Sequence, residues 1–261
     1  MSSSFQRLQA MNRPSLFWLS TEIGRAMTEF GLSFPIRLLS KPSKLGDGHP
    51  VLVLPGFMAS DKSTRFLRKF LEKHNYTPIA WELGRNRGEV ETLDLLFLKL
   101  EEIYKNHGRK ISIIGWSLGG VIARQLAKGK PHLIRQVITL GAPFRNLTAP
   151  NNASWLYNLI SGGKRVVDLD SALLNDIPKP APVPTTAIYS KEDGVVAWEA
   201  CMEENETAIH QNIQVRGSHF GLGVNTAVLK IIADRLLLDE DNWAYFQPPS
   251  FMDDVFLYPS L

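Results

Sequence analysis

Short apolar runs, each the length of a single strand, punctuate this chain, and amphipathic stretches of helical period fill the intervals. Runs at 51–54, 77–81, 111–114, 137–140, 186–189 and 213–215 read as strands, most of them apolar on both faces. Between them the spacing predicts a helix over 61–74, with Phe66, Leu67, Phe70 and Leu71 on one side, and a longer one over 90–106, ended by His107-Gly108. A further helix follows Gly120 through Val121, Ile122 and Leu126, and the last spans 225–238. Strands buried on both faces and alternating with helices specify an α/β architecture, a mainly parallel sheet covered on both sides. Ligands of such sheets bind beyond the carboxyl ends of the strands.

Three stretches stand outside this alternation. Residues 1–49 form an N-terminal helical extension, in which Leu16, Leu19, Ile23, Met27 and Phe30 recur at helical spacing after Pro14, widened by Phe17 and Trp18. The expectation is that this helix covers the sheet or an edge of the site. The other reading, weak membrane or lipid-surface contact, is disfavoured by the few basic residues on the polar face. Residues 50–261 form the main domain. Within it, 144–184 carries no strand signal but an apolar patch at Trp155, Leu156, Tyr157, Leu159 and Ile160, which reads as a lid or cap, or as ordinary packing helices. The tail at 239–261, rich in aromatic residues and proline, reads as an irregular strap on the domain.

Composition narrows the class without naming a function. The 261 residues are 44% hydrophobic and 21% charged, enough for one domain with a substantial core. A formal charge of +3, with basic and acidic residues interleaved, gives no footprint for nucleic acid. The single cysteine, Cys201, excludes an internal disulfide and has no basic setting that would activate a thiol. With no secretory signal and no apolar run near the ~18 residues of a membrane span, a soluble cytoplasmic protein is expected.

The chemistry converges on the third strand. Gly115-Trp116-Ser117-Leu118-Gly119 lies between that strand and a helix, the context a nucleophile elbow requires. Side chains at Gly115 and Gly119 would collide across so tight a turn. A serine hydroxyl needs a neighbouring base. Of the histidines, His74 and His107 sit near helix ends, His49 precedes the first strand, and His132 and His210 lie at plain connections. His219 follows the last strand, in a loop with glycines on both sides, and is the expected base. Asp193, in an Asp-Gly turn just past the strand ending at Tyr189, is the expected orienting carboxylate. Glu192 is its nearest rival, with Asp168, Asp170 and Asp176 less well placed. The oxyanion donors expected are the backbone amides of Leu118 and of Phe57, with Met58 as second choice, since Gly56 lets that loop approach closely. Phe57, Met58, Trp116 and Trp155 are the candidate substrate-binding residues. No His/Asp cluster has metal-ligand spacing, so no metal or organic cofactor is implied.

These residues resemble an α/β-hydrolase, and bacterial lipases and carboxylesterases in particular. The chain order Ser117, Asp193, His219, the elbow, the loop Leu54-Pro55-Gly56-Phe57 and the run Thr139-Leu140-Gly141-Ala142-Pro143 carry the resemblance. It covers residues 50–236. Pro55 departs from it, standing where such lipases often place histidine. The first antiparallel strands of the full fold are also missing, which implies a reduced sheet of about six strands. The resemblance implies a serine carboxylic-ester hydrolase acting on a small-molecule or lipid ester. Acyltransferase, thioesterase or amidase chemistry would use the same triad, and a non-catalytic lipid-binding protein could share the fold.

Overall fold

The structure, a computed structural model, describes residues 11–33, 44–89, 91–147, 149–152, 171–248 and 257–259. The apolar runs become β1 (Pro50–Leu54), β2 (Thr77–Ile79), β3 (Ile111–Trp116), β4 (Ile134–Leu140), β5 (Thr185–Tyr189) and β6 (His210–Gln214). They form one six-stranded sheet in the order β2-β1-β3-β4-β5-β6, with every neighbouring pair parallel. The described residues therefore show an α/β-hydrolase-like parallel sheet with no antiparallel strand added to it.

Alternation along the strands divides the core in two. Val51 and Val53 face α2 (Asp61–Lys73) and α6 (Thr226–Leu237), joining Leu67, Phe70, Leu71, Val228, Leu229 and Ile232. Leu52 and Leu54 face α3 (Thr92–His107) and α4 (Leu118–Gly129), joining Leu96, Leu100, Ile122 and Leu126. Each such side chain contributes roughly 1.5–3 kcal/mol when taken fully out of water. Helix α3 stops where Gly108 turns left-handed at φ 63°, its amide donating to the Tyr104 carbonyl.

Two strands start earlier than their apolar runs, because their first residues are polar and find partners in distant parts of the chain. In β4, Arg135 reaches Asp47 Oδ2 at 2.8 Å and the Leu238 carbonyl at 2.6 Å, while Gln136 donates to the Arg235 carbonyl. In β6, the Gln211 amide exchanges hydrogen bonds with the Phe246 backbone, and His210 Nε2 donates to the Ala181 carbonyl at 2.8 Å. The tail thus straps the β6 edge. Phe246 and Tyr258 are buried edge to face, with the Tyr258 hydroxyl donating to Ala227 O.

Helix α1 (Leu16–Leu32) forms as predicted, capped by Ser15, but it docks by the opposite face. Leu16, Ile23 and Met27 are 66–71% exposed, whereas Glu22 is 1% exposed. The helix lies against the His219 loop, at an edge of the site, with most of its apolar stripe facing outward. Loop amides hold the polar face, as described below. Of the 144–184 stretch, the described part includes α5 (Ser171–Asp176) and Asn152, whose amide donates to the carbonyls of Gly194 and Pro14. Trp155, Asp168 and Asp170, with the core of the expected lid, lie outside the described residues. Among the described residues no helix is long and apolar enough to cross a membrane.

Candidate active site

From β1 the chain proceeds outward to β2, then returns to place β3 on the other side of β1. Such a reversal marks where sheets of this kind generally form a ligand crevice, here beyond the carboxyl ends of β1 and β3. The Pro55-Gly56-Phe57 loop leaves β1 at one lip, and Ser117 follows β3 at the other.

Ser117 adopts φ 53° and ψ −123°, a conformation that costs a non-glycine residue on the order of 1–3 kcal/mol. The turn is as tight as the sequence requires. A Cβ on Gly115 would lie 2.3 Å from the Gly119 oxygen, and one on Gly119 2.5 Å from the Leu54 oxygen. The Ser117 amide donates to Leu140 O at 2.8 Å, tying the elbow to the end of β4. Helix α4 begins at Leu118, so its amino terminus faces any negative charge developing beside the Ser117 hydroxyl.

His219 Nε2 lies 3.1 Å from Ser117 Oγ, and His219 Nδ1 lies 2.6 Å from Asp193 Oδ2. The other Asp193 oxygen accepts the amides of Val195 and Val196 at 2.8 and 2.9 Å, which fixes the carboxylate in its turn. Burial disfavours the imidazolium, but the charge and hydrogen bond of Asp193, with the charge of Glu22, outweigh it and hold the His219 pKa above its ordinary value. The histidine loop is close-packed: a Cβ on Gly221 would meet Glu29 Oε2 at 2.4 Å. The rival groups are committed elsewhere. Glu192 faces Arg25 at 4.0 Å, and Asp176 pairs with Lys128 and Lys179. His74 binds the Phe70 carbonyl, and Cys201 is buried with its thiol pKa pushed up by that burial.

Gly56 lies against the nucleophile, where a Cβ would come within 3.3 Å of Ser117 Cβ. The Met58 amide, the second-choice oxyanion donor, donates to Asn86 O at 2.7 Å, so that amide is turned away from the crevice. Asn86 also donates through Nδ2 to the Pro55 carbonyl at 2.8 Å and through its backbone to Ala59 O at 2.9 Å. This buried side chain staples the loop after β1. Trp116 is half-buried between β3 and the histidine loop, its Nε1 donating to His219 O at 3.1 Å and its ring against Gly223.

Three residues of this neighbourhood lay outside the sequence expectations: Asn86, Glu22 and Glu29. Asn86 sat in a stretch read only as turn-rich. Glu22 and Glu29, seven positions apart, share one face of α1, and that spacing was the available signal. Among the described residues, no group of three or more His, Cys, Asp or Glu is placed to hold a metal ion. The arrangement can polarise one serine hydroxyl, store its proton on a buried imidazole and return it.

No family model matches the chain, and no curated protein matches it in sequence. Solved structures do match its fold. Lipase B of Aspergillus fumigatus superposes with a TM-score of 0.63 at 16% identity, over 83% of this chain and 59% of that one. The mature form of a Bacillus licheniformis lipase gives 0.55 at 18% identity, over 76% and 94%. An α/β superfamily hydrolase from Oenococcus oeni gives 0.52 at 17%, over 74% and 94%. The chain spans less than two thirds of the fungal lipase. Likeness at this identity establishes the fold alone, and the fold is that of the α/β-hydrolases.

Proposed function

We propose that this protein is a serine carboxylic-ester hydrolase, with Ser117 as nucleophile, His219 as general base and acid, and Asp193 as the orienting carboxylate. The reading is carried by one observation: an unbroken hydrogen-bonded series from Asp193 through His219 to a strained Ser117 at the mouth of the crevice.

In this mechanism, Ser117 Oγ attacks the ester carbonyl carbon while its proton passes to His219 Nε2. The carbonyl π electrons move onto oxygen, and the resulting oxyanion accepts the amides of Leu118 and Phe57. Collapse re-forms the carbonyl and expels the alcohol oxygen, which takes the proton from His219. Water then gives a proton to the same nitrogen and attacks the acyl-enzyme, and collapse returns Ser117 with its proton and frees the acid. Asp193 holds the tautomer in which Nε2 accepts, and stabilises the imidazolium.

Trp116 and Phe220 flank His219, and Phe220 is half-exposed. Together with the exposed apolar residues of α1, they support an apolar acyl group, delivered as a dissolved ester or at a lipid surface. Two of the three neighbours described are lipases, which favours ester over amide substrates. The test is turnover of p-nitrophenyl esters from acetate to palmitate, above and below the micelle threshold, beside an acyl-CoA and an anilide. Ester turnover well above the other two supports the reading. A dominant anilide or acyl-CoA rate replaces it with amidase or acyl-CoA thioesterase chemistry on the same residues.

A further inference from the structure

We infer that Glu22 of helix α1 is a positioning residue, whose buried carboxylate clamps the Asp193 loop and the His219 loop in the register that aligns the triad. The inference rests on the catalytic reading of Ser117, His219 and Asp193 given above. One Glu22 oxygen accepts the amide of Gly194, next to Asp193, at 2.8 Å and that of His219 itself at 3.2 Å. The other accepts the Phe220 amide at 3.2 Å. A single side chain from outside the sheet therefore spans the acid and the base loops.

The surroundings are built for this contact. A Cβ on Gly194 would fall 2.4 Å from the Leu19 nitrogen and 2.5 Å from the Trp18 carbonyl carbon, so only glycine admits the α1 backbone there. Arg25 Nη2 bonds Glu22 at 3.0 Å and the Glu192 carbonyl at 2.9 Å, extending the clamp along the acid loop. Glu29, two turns on, accepts the Ser218 amide at 2.7 Å and the Asn225 side chain at 2.9 Å. A charge removed from water carries a desolvation cost that an apolar side chain would not. Placing it on the two loops that must align makes that cost intelligible.

Glu22 also acts through its charge. The groups facing His219 are Asp193 and Glu22, with Arg25 and Glu192 behind Glu22 and Glu29 on the neighbouring amide. Asp193 contributes most to the raised His219 pKa, and Glu22 adds to it. A residue that merely tethered the helix would change the amount of folded protein and nothing else.

The experiment compares wild type, Glu22→Gln and Glu22→Asp in the full chain, each normalised by titrating Ser117 with a fluorophosphonate. Glu22→Gln removes the charge and leaves one acceptor. Its kcat per titrated site falls about 10- to 100-fold with KM little changed, as misaligned catalytic groups do. The acid limb of its kcat/KM profile moves to lower pH by on the order of 0.5–1 unit. Glu22→Asp keeps the charge on a shorter arm, so it loses kcat while retaining the wild-type acid limb. Wild-type kcat and acid limb in Glu22→Gln would overturn the inference. If that variant yields no folded protein, undiminished kcat in Glu22→Asp overturns it instead. Should wild type neither hydrolyse esters nor take up the fluorophosphonate at Ser117, the catalytic reading itself fails, and the clamp with it.

Discussion

His49 Nε2 holds the Ser112 hydroxyl at 2.8 Å, closer than the 3.1 Å at which His219 holds that of Ser117. His49 Nδ1 also meets Asp47 Oδ1 at 2.5 Å, so the amino-terminal edge of the sheet carries an Asp-His-Ser series of its own. What separates the two is access and charge. His49 and Ser112 are wholly buried, Ser112 lies inside strand β3, and no helix amino terminus follows it. Burial, aided by the charges of Arg135 and Arg109, drives the His49 pKa down despite the opposing Asp47. Asp47 is held well below the usual carboxylate range, because hydrogen bonds from His49 and Arg135 outweigh its own burial. The first series fastens the chain before β1 to β3 and β4, and the second ends on a half-buried serine.

Ser112→Ala should therefore cost stability and spare catalysis. It leaves a buried imidazole nitrogen without its partner, at about 1–3 kcal/mol. Chemical denaturation should show that loss, with kcat and KM on a p-nitrophenyl ester unchanged.

Asp193→Asn should lower kcat by about four orders of magnitude with the fold intact, because the amide favours the wrong imidazole tautomer. Glu192→Gln, the adjacent acidic position, should leave kcat unchanged, since its side chain faces Arg25 rather than His219. Steady-state kinetics on both variants decides which carboxylate orients the base.

The pH dependence follows from the His219 environment. The base works only as neutral imidazole, and Asp193 and Glu22 hold its pKa above the ordinary histidine value in spite of burial. Thus kcat/KM should be low in acid and rise with pH through an inflection above about 6.5. An inflection below that value would show that burial dominates. Neutralising Glu22 should move that inflection to lower pH.

Asn86→Ala should loosen the loop after β1, since it removes the hydrogen bond to Pro55 O beside the expected Phe57 donor. The loss in kcat should be about 10-fold, short of the 10²–10³ typical when an oxyanion donor is removed outright. KM for a small ester should change less than kcat.

The elements most legible in the sequence were those whose signal is local. Buried parallel strands announce themselves as apolar runs, and the elbow as five residues whose glycines have no space for a side chain. Asp193 and His219 could be singled out because turn chemistry and flanking glycines mark their loops, although their geometry depends on the whole sheet. Where buried groups are polar the periodicity misleads. The start of β6 carries no apolar signal, because Gln211 and His210 find their partners in distant backbone. The docking face of helix α1 is hidden in the sequence for the same reason. Its apolar stripe suggested the buried face, but the docking is done by Glu22 and Glu29 on amides of loops more than 170 residues further along. The commitment of the Met58 amide to Asn86 was equally invisible, since it depends on how two loops meet.

The account stands most directly on Ser117. Hydrolysis of p-nitrophenyl butyrate by purified wild type and Ser117→Ala, with matched folding by circular dichroism, measures its role. The account predicts a fall in kcat of about 10⁵- to 10⁶-fold, as found when a triad serine is removed. Undiminished hydrolysis by Ser117→Ala would contradict it.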